Sequence, residues 1–154
     1  MEFLTWLEST GPARAVGESV MMTAGLSAVH AVGFTLVMSG ALVWNLSAAG
    51  LLLRRLPLGA VVRPARWVLF FGLAISITTG LLQLAPRVSY TVTGGAFQLK
   101  MALLVVAVGY QLTVGRLVPL EAQTRSGPTR IAGAVGALLW ISLAVAACWF
   151  ILFE

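Results

Sequence analysis

His30 is the only histidine in this 154-residue chain, and it stands inside an uncharged apolar stretch that runs from Ser19 to Leu53. An imidazole titrates near neutrality and is a common metal ligand, so its position invites three readings. It could be a neutral ring that ties helices together by hydrogen bonding to Ser27, Thr78 or Thr79. It could ligate haem or a metal, or it could handle protons. At a helical turn of about 100° per residue, Ser19, Thr23, Ser27, His30, Phe34, Met38, Ala41 and Asn45 share roughly one third of the helix circumference. Such a polar face is expected to turn toward other helices, because hydroxyl, imidazole and amide groups facing lipid would lack partners. His30 lies about ten residues, or roughly 15 Å, from the outer end of that helix.

Lys100 is the second candidate. Its long side chain can reach the membrane interface while the methylenes stay in the apolar layer. Alternatively it turns inward, to pair with Glu18 or to bind an anionic head group or a haem propionate, with Gln83 completing a polar cap. Soft ligands are placed toward the same half: Met21 and Met22, Met101, and Cys148, the single cysteine. Thioether and thiolate groups select Cu(I), so His30, Met22, Met101 and Cys148 form a candidate metal set. The chain has no Met-x-x-Met, Cys-x-x-Cys or paired-histidine spacing, and methionine is also an ordinary gap-filler. Haem b held by two histidines of one chain is excluded by the single His30, and Met38 on the same helix cannot reach the opposite haem face. Haem would need His30 from two protomers, an unusual ligand such as Met101, or an open coordination position. No bound cofactor is the plainer expectation.

Several reaction classes lack their parts. There is no aspartate, no glycine-rich phosphate loop, no His-Glu-x-x-His, and no Ser or Cys nucleophile beside a base, which argues against hydrolysis and phosphoryl transfer. Four short spans without paired charges or proline-broken half-helices give little support to a channel or transporter.

The elements that must position these residues follow from composition. The chain is 59% hydrophobic and 10% charged, where a soluble domain has roughly 45–50% and 25%. Segments of about 20 apolar residues form helices in a bilayer, where only internal bonding satisfies the backbone. Four segments qualify: 20–46, 67–85, 97–117 and 131–153. The reading is an all-α, single-domain bundle of four transmembrane helices preceded by a short interfacial helix over residues 2–10, broken at Gly11-Pro12. The outer segment from Pro86 to Gly95 reads as an irregular turn.

Nine of the ten basic residues are arginines, and they are scattered between apolar runs rather than gathered on one face, which argues against nucleic acid. Seven of them fall in the first and third connections, Arg54 to Arg66 and Arg116 to Arg130. The bias of basic residues toward cytoplasmic loops then places both ends of the bundle outside, in a bacterial inner membrane with periplasmic termini. Glu2, Glu8 and Glu18 against Arg14 argue against a cleavable signal peptide. Small residues at four-residue spacing, Gly72/Ser76/Gly80, Ala132/Gly136 and Gly133/Ala137, make smooth faces for packing within the monomer or for a homodimer seam.

The order Trp6-Leu7-Glu8-x-Thr10, Glu18-Ser19, His30-Ala31-Val32-Gly33, Gly40, Asn45-Leu46 and Gly50 is informative. Together with Thr79-Gly80-Leu81-Leu82, Pro86 to Tyr90 and Phe97-x-x-Lys100-Met101, it resembles an uncharacterised family of small bacterial four-helix membrane proteins. It covers most of the chain from Trp6 to Gln111. Members usually carry Glu where Ser27 stands and Asp-Leu-Arg where Asn45-Leu46-Ser47 stands. The layout is also distantly similar to the copper-resistance D family and to membrane b-type cytochromes. What the resemblance implies is a membrane-embedded helical fold, with haem or copper as the cofactors of those distant relatives. The functional expectation is a non-enzymatic subunit or partner of a membrane assembly, as a homodimer or larger complex. The alternative is a redox or metal-handling protein built on His30.

Overall fold

The computed structural model describes the backbone of residues 2–117 and 125–153 and the side chains of residues 2–116 and 125–149. The chain is an all-α bundle, without a strand among the described residues. Two short helices, α1 (Glu2–Glu8) and α2 (Gly11–Glu18), precede α3 (Val20–Ala48) and α4 (Leu58–Leu84). A 3-10 turn (Ala85–Arg87) and α5 (Val88–Thr91) lead to α6 (Gly95–Leu117) and α7 (Gly127–Phe153). The helices α3, α4, α6 and α7 are each long and apolar enough to cross a membrane.

Close backbone approach sets the packing. The α3–α4 seam is the most extensive: a Cβ on Gly40 would sit 2.6 Å from Leu69 N and 2.7 Å from Ala65 O, and one on Gly72 would sit 2.7 Å from Gly33 O and Val37 N. Only hydrogen fits at these crossings, which lets two backbones touch where hydrophobic burial cannot drive association. Helix α7 meets α3 in the same way, with Gly133 against Asn45 O and Ala49 N and Gly136 against the Asn45 amide. The small-residue faces on α4 and α7 are therefore used inside this chain. Helix α6 packs on α7, so the order around the bundle is α4, α3, α7, α6. On the fourth side, between α4 and α6, the backbones make no such close approach among the described residues. The central core is Val37, Ala41, Leu69, Leu73, Ala107, Trp140 and Leu143.

Three boundaries differ from the sequence reading. Helix α4 begins at Leu58 rather than Trp67 and runs through Pro64. An interior proline costs about 3 kcal/mol, but Leu58, Val62 and Ala65 bury against Trp44 and Ala48 and hold the helix. Arg63 and Arg66 consequently lie on a helix, not in a loop. At the other end, α1 stops at Glu8, before Gly11-Pro12, but a second short helix follows the break. Pro12 opens α2, where its missing N–H would have had no partner in any case. The turn between α4 and α6 is also more ordered than the sequence suggests. Glu8 Oε1 accepts from Ser89 N at 2.8 Å, and Gly17 packs on Pro86, so α1 and α2 sit over the α4–α6 connection. The third connection falls largely in residues 118–124, outside the described residues.

The C-terminal end of α3 is closed by a Schellman motif: Leu51 N donates to Leu46 O at 2.9 Å and Gly50 N to Ser47 O at 3.1 Å. Gly50 takes the left-handed position with φ 75°, where a side chain would be strained.

Candidate functional site

His30 is half-buried on α3, facing α4. Its Nδ1 lies 3.0 Å from Thr79 Oγ1, and Gly80 leaves room for the ring, whose Cε1 would be 3.3 Å from a Cβ there. Thr79 has one hydroxyl proton, and Ile75 O, at 2.7 Å, takes it. The oxygen then accepts from His30 Nδ1–H, which assigns that tautomer and leaves the Nε2 lone pair for another group. Lys100, from α6, is within electrostatic range of the imidazole. Nearby, Ser27 Oγ donates to Gln83 Oε1 at 3.0 Å, and Gln83 Nε2 donates to Thr79 O at 3.3 Å. This polar ladder ties the N-terminal half of α3 to the C-terminal half of α4, with Thr79, not Thr78, as the histidine's partner.

The polar face of α3 turns inward only gradually. Thr23 and Ser27 are exposed, His30, Phe34 and Met38 are half-buried, and Ala41 and Asn45 are buried. Thr23 meets its need locally, donating to Val16 O at 2.7 Å. The bundle is open around the N-terminal end of α3 and tight around its C-terminal end.

The candidate sulfur ligands are spread over three helices. Met22 on α3, Met101 on α6 and Cys148 on α7 are all exposed, and none is among the hydrogen-bond or close-packing partners found for His30. Among the described residues, no group of three or more His, Cys, Asp or Glu side chains is placed to hold a metal. For haem, the residues fit in one respect, a histidine with an unassigned Nε2. The second axial position has no candidate that the geometry brings to it.

The most buried polar cluster was not predicted as a unit. Asn45 Nδ2 donates to Gln111 Oε1 at 2.8 Å and to Ala41 O at 2.8 Å. Trp140 Nε1 donates to the same Gln111 oxygen at 2.9 Å. Three helices, α3, α6 and α7, meet at one carbonyl oxygen. The sequence marks Asn45 as the last residue of the α3 polar face and gives no role to Gln111 or Trp140. The signal for Gln111 is an amide within an apolar span, where polar side chains join helices.

By sequence Arg125 is only a topology signal. Its guanidinium donates to Ser47 O at 2.5 Å, to Arg54 O at 3.0 Å, and to Leu53 O and Leu56 O at 3.2 and 3.3 Å. Arg130 Nε adds a bond to Ala49 O at 3.3 Å. Two cations from the start of α7 therefore cap the C-terminal carbonyls of α3, where the helix dipole favours positive charge.

Comparison with family models, with curated proteins and with solved structures finds no match for this chain.

Proposed function

We propose that this chain is a multi-pass membrane protein that serves as a non-enzymatic subunit or partner of a larger membrane assembly. Its four long helices cross the bilayer of a bacterial inner membrane, with the arginine-rich connections in the cytoplasm and both ends of the bundle in the periplasm. Large exposed apolar side chains on every long helix, among them Val20, Trp67, Val105 and Leu138, support lipid as the solvent of the outer surface. The observation that carries the functional reading is how the interior polar groups are engaged. Asn45, Gln111 and Trp140 bond to one another across three helices, and His30 bonds to Thr79 across two. These are ties between helices, not groups held apart around a substrate.

The test is cross-linking in native membranes from single cysteines placed at Val105 and Leu138, in a Cys148→Ser background. A discrete, stoichiometric cross-link to a different membrane protein is expected. Monomer alone at every position would overturn the reading.

A second reading, haem ligation at His30, is favoured by the free Nε2 lone pair that the Thr79 contact implies. Purified protein with a Soret band that disappears in His30→Ala would replace the first reading. Colourless protein that also contains no copper by elemental analysis would remove the second.

A further inference from the structure

The α3–α4 connection, residues 49–57, turns four leucines outward: Leu51 is 63% exposed, Leu56 47%, Leu53 43% and Leu52 37%. Arg54 and Arg55, between them in sequence, are exposed as well. Four large apolar side chains within six residues make a patch of the kind that marks a covered surface. What covers this one follows from its backbone and from where it stands.

Much of the backbone of this connection is hydrogen-bonded within the chain. Arg125 donates to the carbonyls of Ser47, Leu53, Arg54 and Leu56, and Arg130 donates to that of Ala49. Leu51 N and Leu52 N both donate to Leu46 O, Gly50 N to Ser47 O, and Leu56 N to Leu53 O. Pro57 has no N–H to satisfy. In bulk water a loop needs no such closure, because water meets its carbonyls; where water is scarce, irregular backbone is tolerated only if the protein supplies the partners. A protein that recognised the loop would find few backbone groups left to bond. Lipid asks for none. The same clamp holds Leu53 at φ 46°, a conformation rare for a bulky side chain.

Depth agrees with this. Helix α3 has 29 residues, about 43 Å at 1.5 Å per residue, whereas the hydrocarbon layer is roughly 30 Å thick and the bilayer with its head groups roughly 40–45 Å. A helix of that length reaches from one head-group layer to the other. The connection that follows it lies among the head groups, where apolar side chains enter the acyl boundary and guanidiniums meet phosphates.

We propose that the α3–α4 connection is a lipid anchor: Leu51, Leu52, Leu53 and Leu56 enter the acyl boundary of the adjacent leaflet, and Arg54 and Arg55 pair with anionic phospholipid head groups. The anchor rests on the membrane-spanning reading and on nothing about His30 or a partner protein.

The experiment uses the full chain with Cys148→Ser, reconstituted into vesicles of phosphatidylcholine and phosphatidylglycerol, with a bimane fluorophore on Leu51→Cys. Nitroxide-labelled lipids quench from the membrane and acrylamide quenches from water. Lipid quenching is expected, with acrylamide quenching severalfold weaker than for a bimane–glutathione adduct in the same suspension. Nitroxide-labelled phosphatidylglycerol should quench more strongly than phosphatidylcholine labelled at the same position, and Arg54→Gln/Arg55→Gln should bring the two level. Equal quenching by the two lipids before those changes would overturn the pairing with anionic head groups. A label on Val105→Cys, at a position 67% exposed within α6, reports on membrane spanning by itself. If lipid quenches at Val105→Cys while acrylamide quenches Leu51→Cys as freely as the adduct, the loop stands in water and the anchor alone fails. A Leu51→Cys label shielded from both quenchers would mean that a second copy of the chain covers the loop, which also overturns the anchor. No lipid quenching at Val105→Cys would overturn the spanning reading and the anchor together.

Discussion

The side-chain Oδ1 of Asn45 on α3 lies directly against the α-carbon of Gly136 on α7, leaving no space for a Cβ. This contact is the point on which the bundle closes around the C-terminal half of α3, because the same asparagine reaches Gln111 on α6. Gly136→Ala must push Asn45 aside, and with it the hydrogen bonds that join three helices. We expect a loss of about 1–3 kcal/mol, measured by reversible unfolding in detergent. A variant as stable as the parent would contradict the packing.

Glycine-to-alanine changes should separate by position. Alanine gains about 1 kcal/mol in helix propensity over glycine. At Gly40 that gain is overwhelmed, since the new Cβ would meet backbone atoms of Leu69 and Ala65 that cannot give way. At Gly109 nothing lies within 4 Å, so Gly109→Ala should be neutral or stabilising. The melting temperature should fall in Gly40→Ala and hold or rise in Gly109→Ala.

Gln111→Leu removes the acceptor shared by Asn45 Nδ2 and Trp140 Nε1. Polar ties between membrane helices are worth about 0.6–2 kcal/mol, and two buried donors would be left without their partner. The predicted loss is about 2 kcal/mol. Combining it with Asn45→Leu should cost less than the sum of the two single changes, because the partners act as a unit. Additive losses in a double-mutant cycle would show that the two amides do not interact.

Arg125→Ala should loosen the α3–α4 connection rather than the core. Four backbone carbonyls would lose a charged donor, and Leu53, held at φ 46°, would lose its clamp. Partial exposure limits the stability cost to about 1 kcal/mol. The sharper readout is limited proteolysis, with cleavage expected between Ala49 and Pro57 in the variant and not in the parent.

Orientation is checked by Ser126→Cys in a Cys148→Ser background. Residue 126 is exposed at the start of α7, on the side that the arginine bias assigns to the cytoplasm. An impermeant maleimide should label it only after cells are broken. Labelling in intact cells would reverse the topology.

The sequence by itself determined the four long helices and the all-α class. Long uncharged apolar runs leave the backbone no solvent partner, so each run must satisfy its own N–H and C=O groups. It also singled out His30 and Lys100, because ionisable side chains are rare in such runs. The tertiary structure alone decided which polar groups meet. Asn45 and Gln111 are 66 residues apart, and Ser47 and Arg125 are 78 apart, distances at which periodicity on one helix says nothing about its neighbour. The early start of α4 belongs here too: the burial of Leu58 and Val62 against Trp44 and Ala48 outweighs a proline that, read locally, ends the helix. Helix formation in an apolar chain is a local consequence of backbone bonding. The pairing of faces depends on where glycine lets two backbones approach, and only the folded bundle shows that.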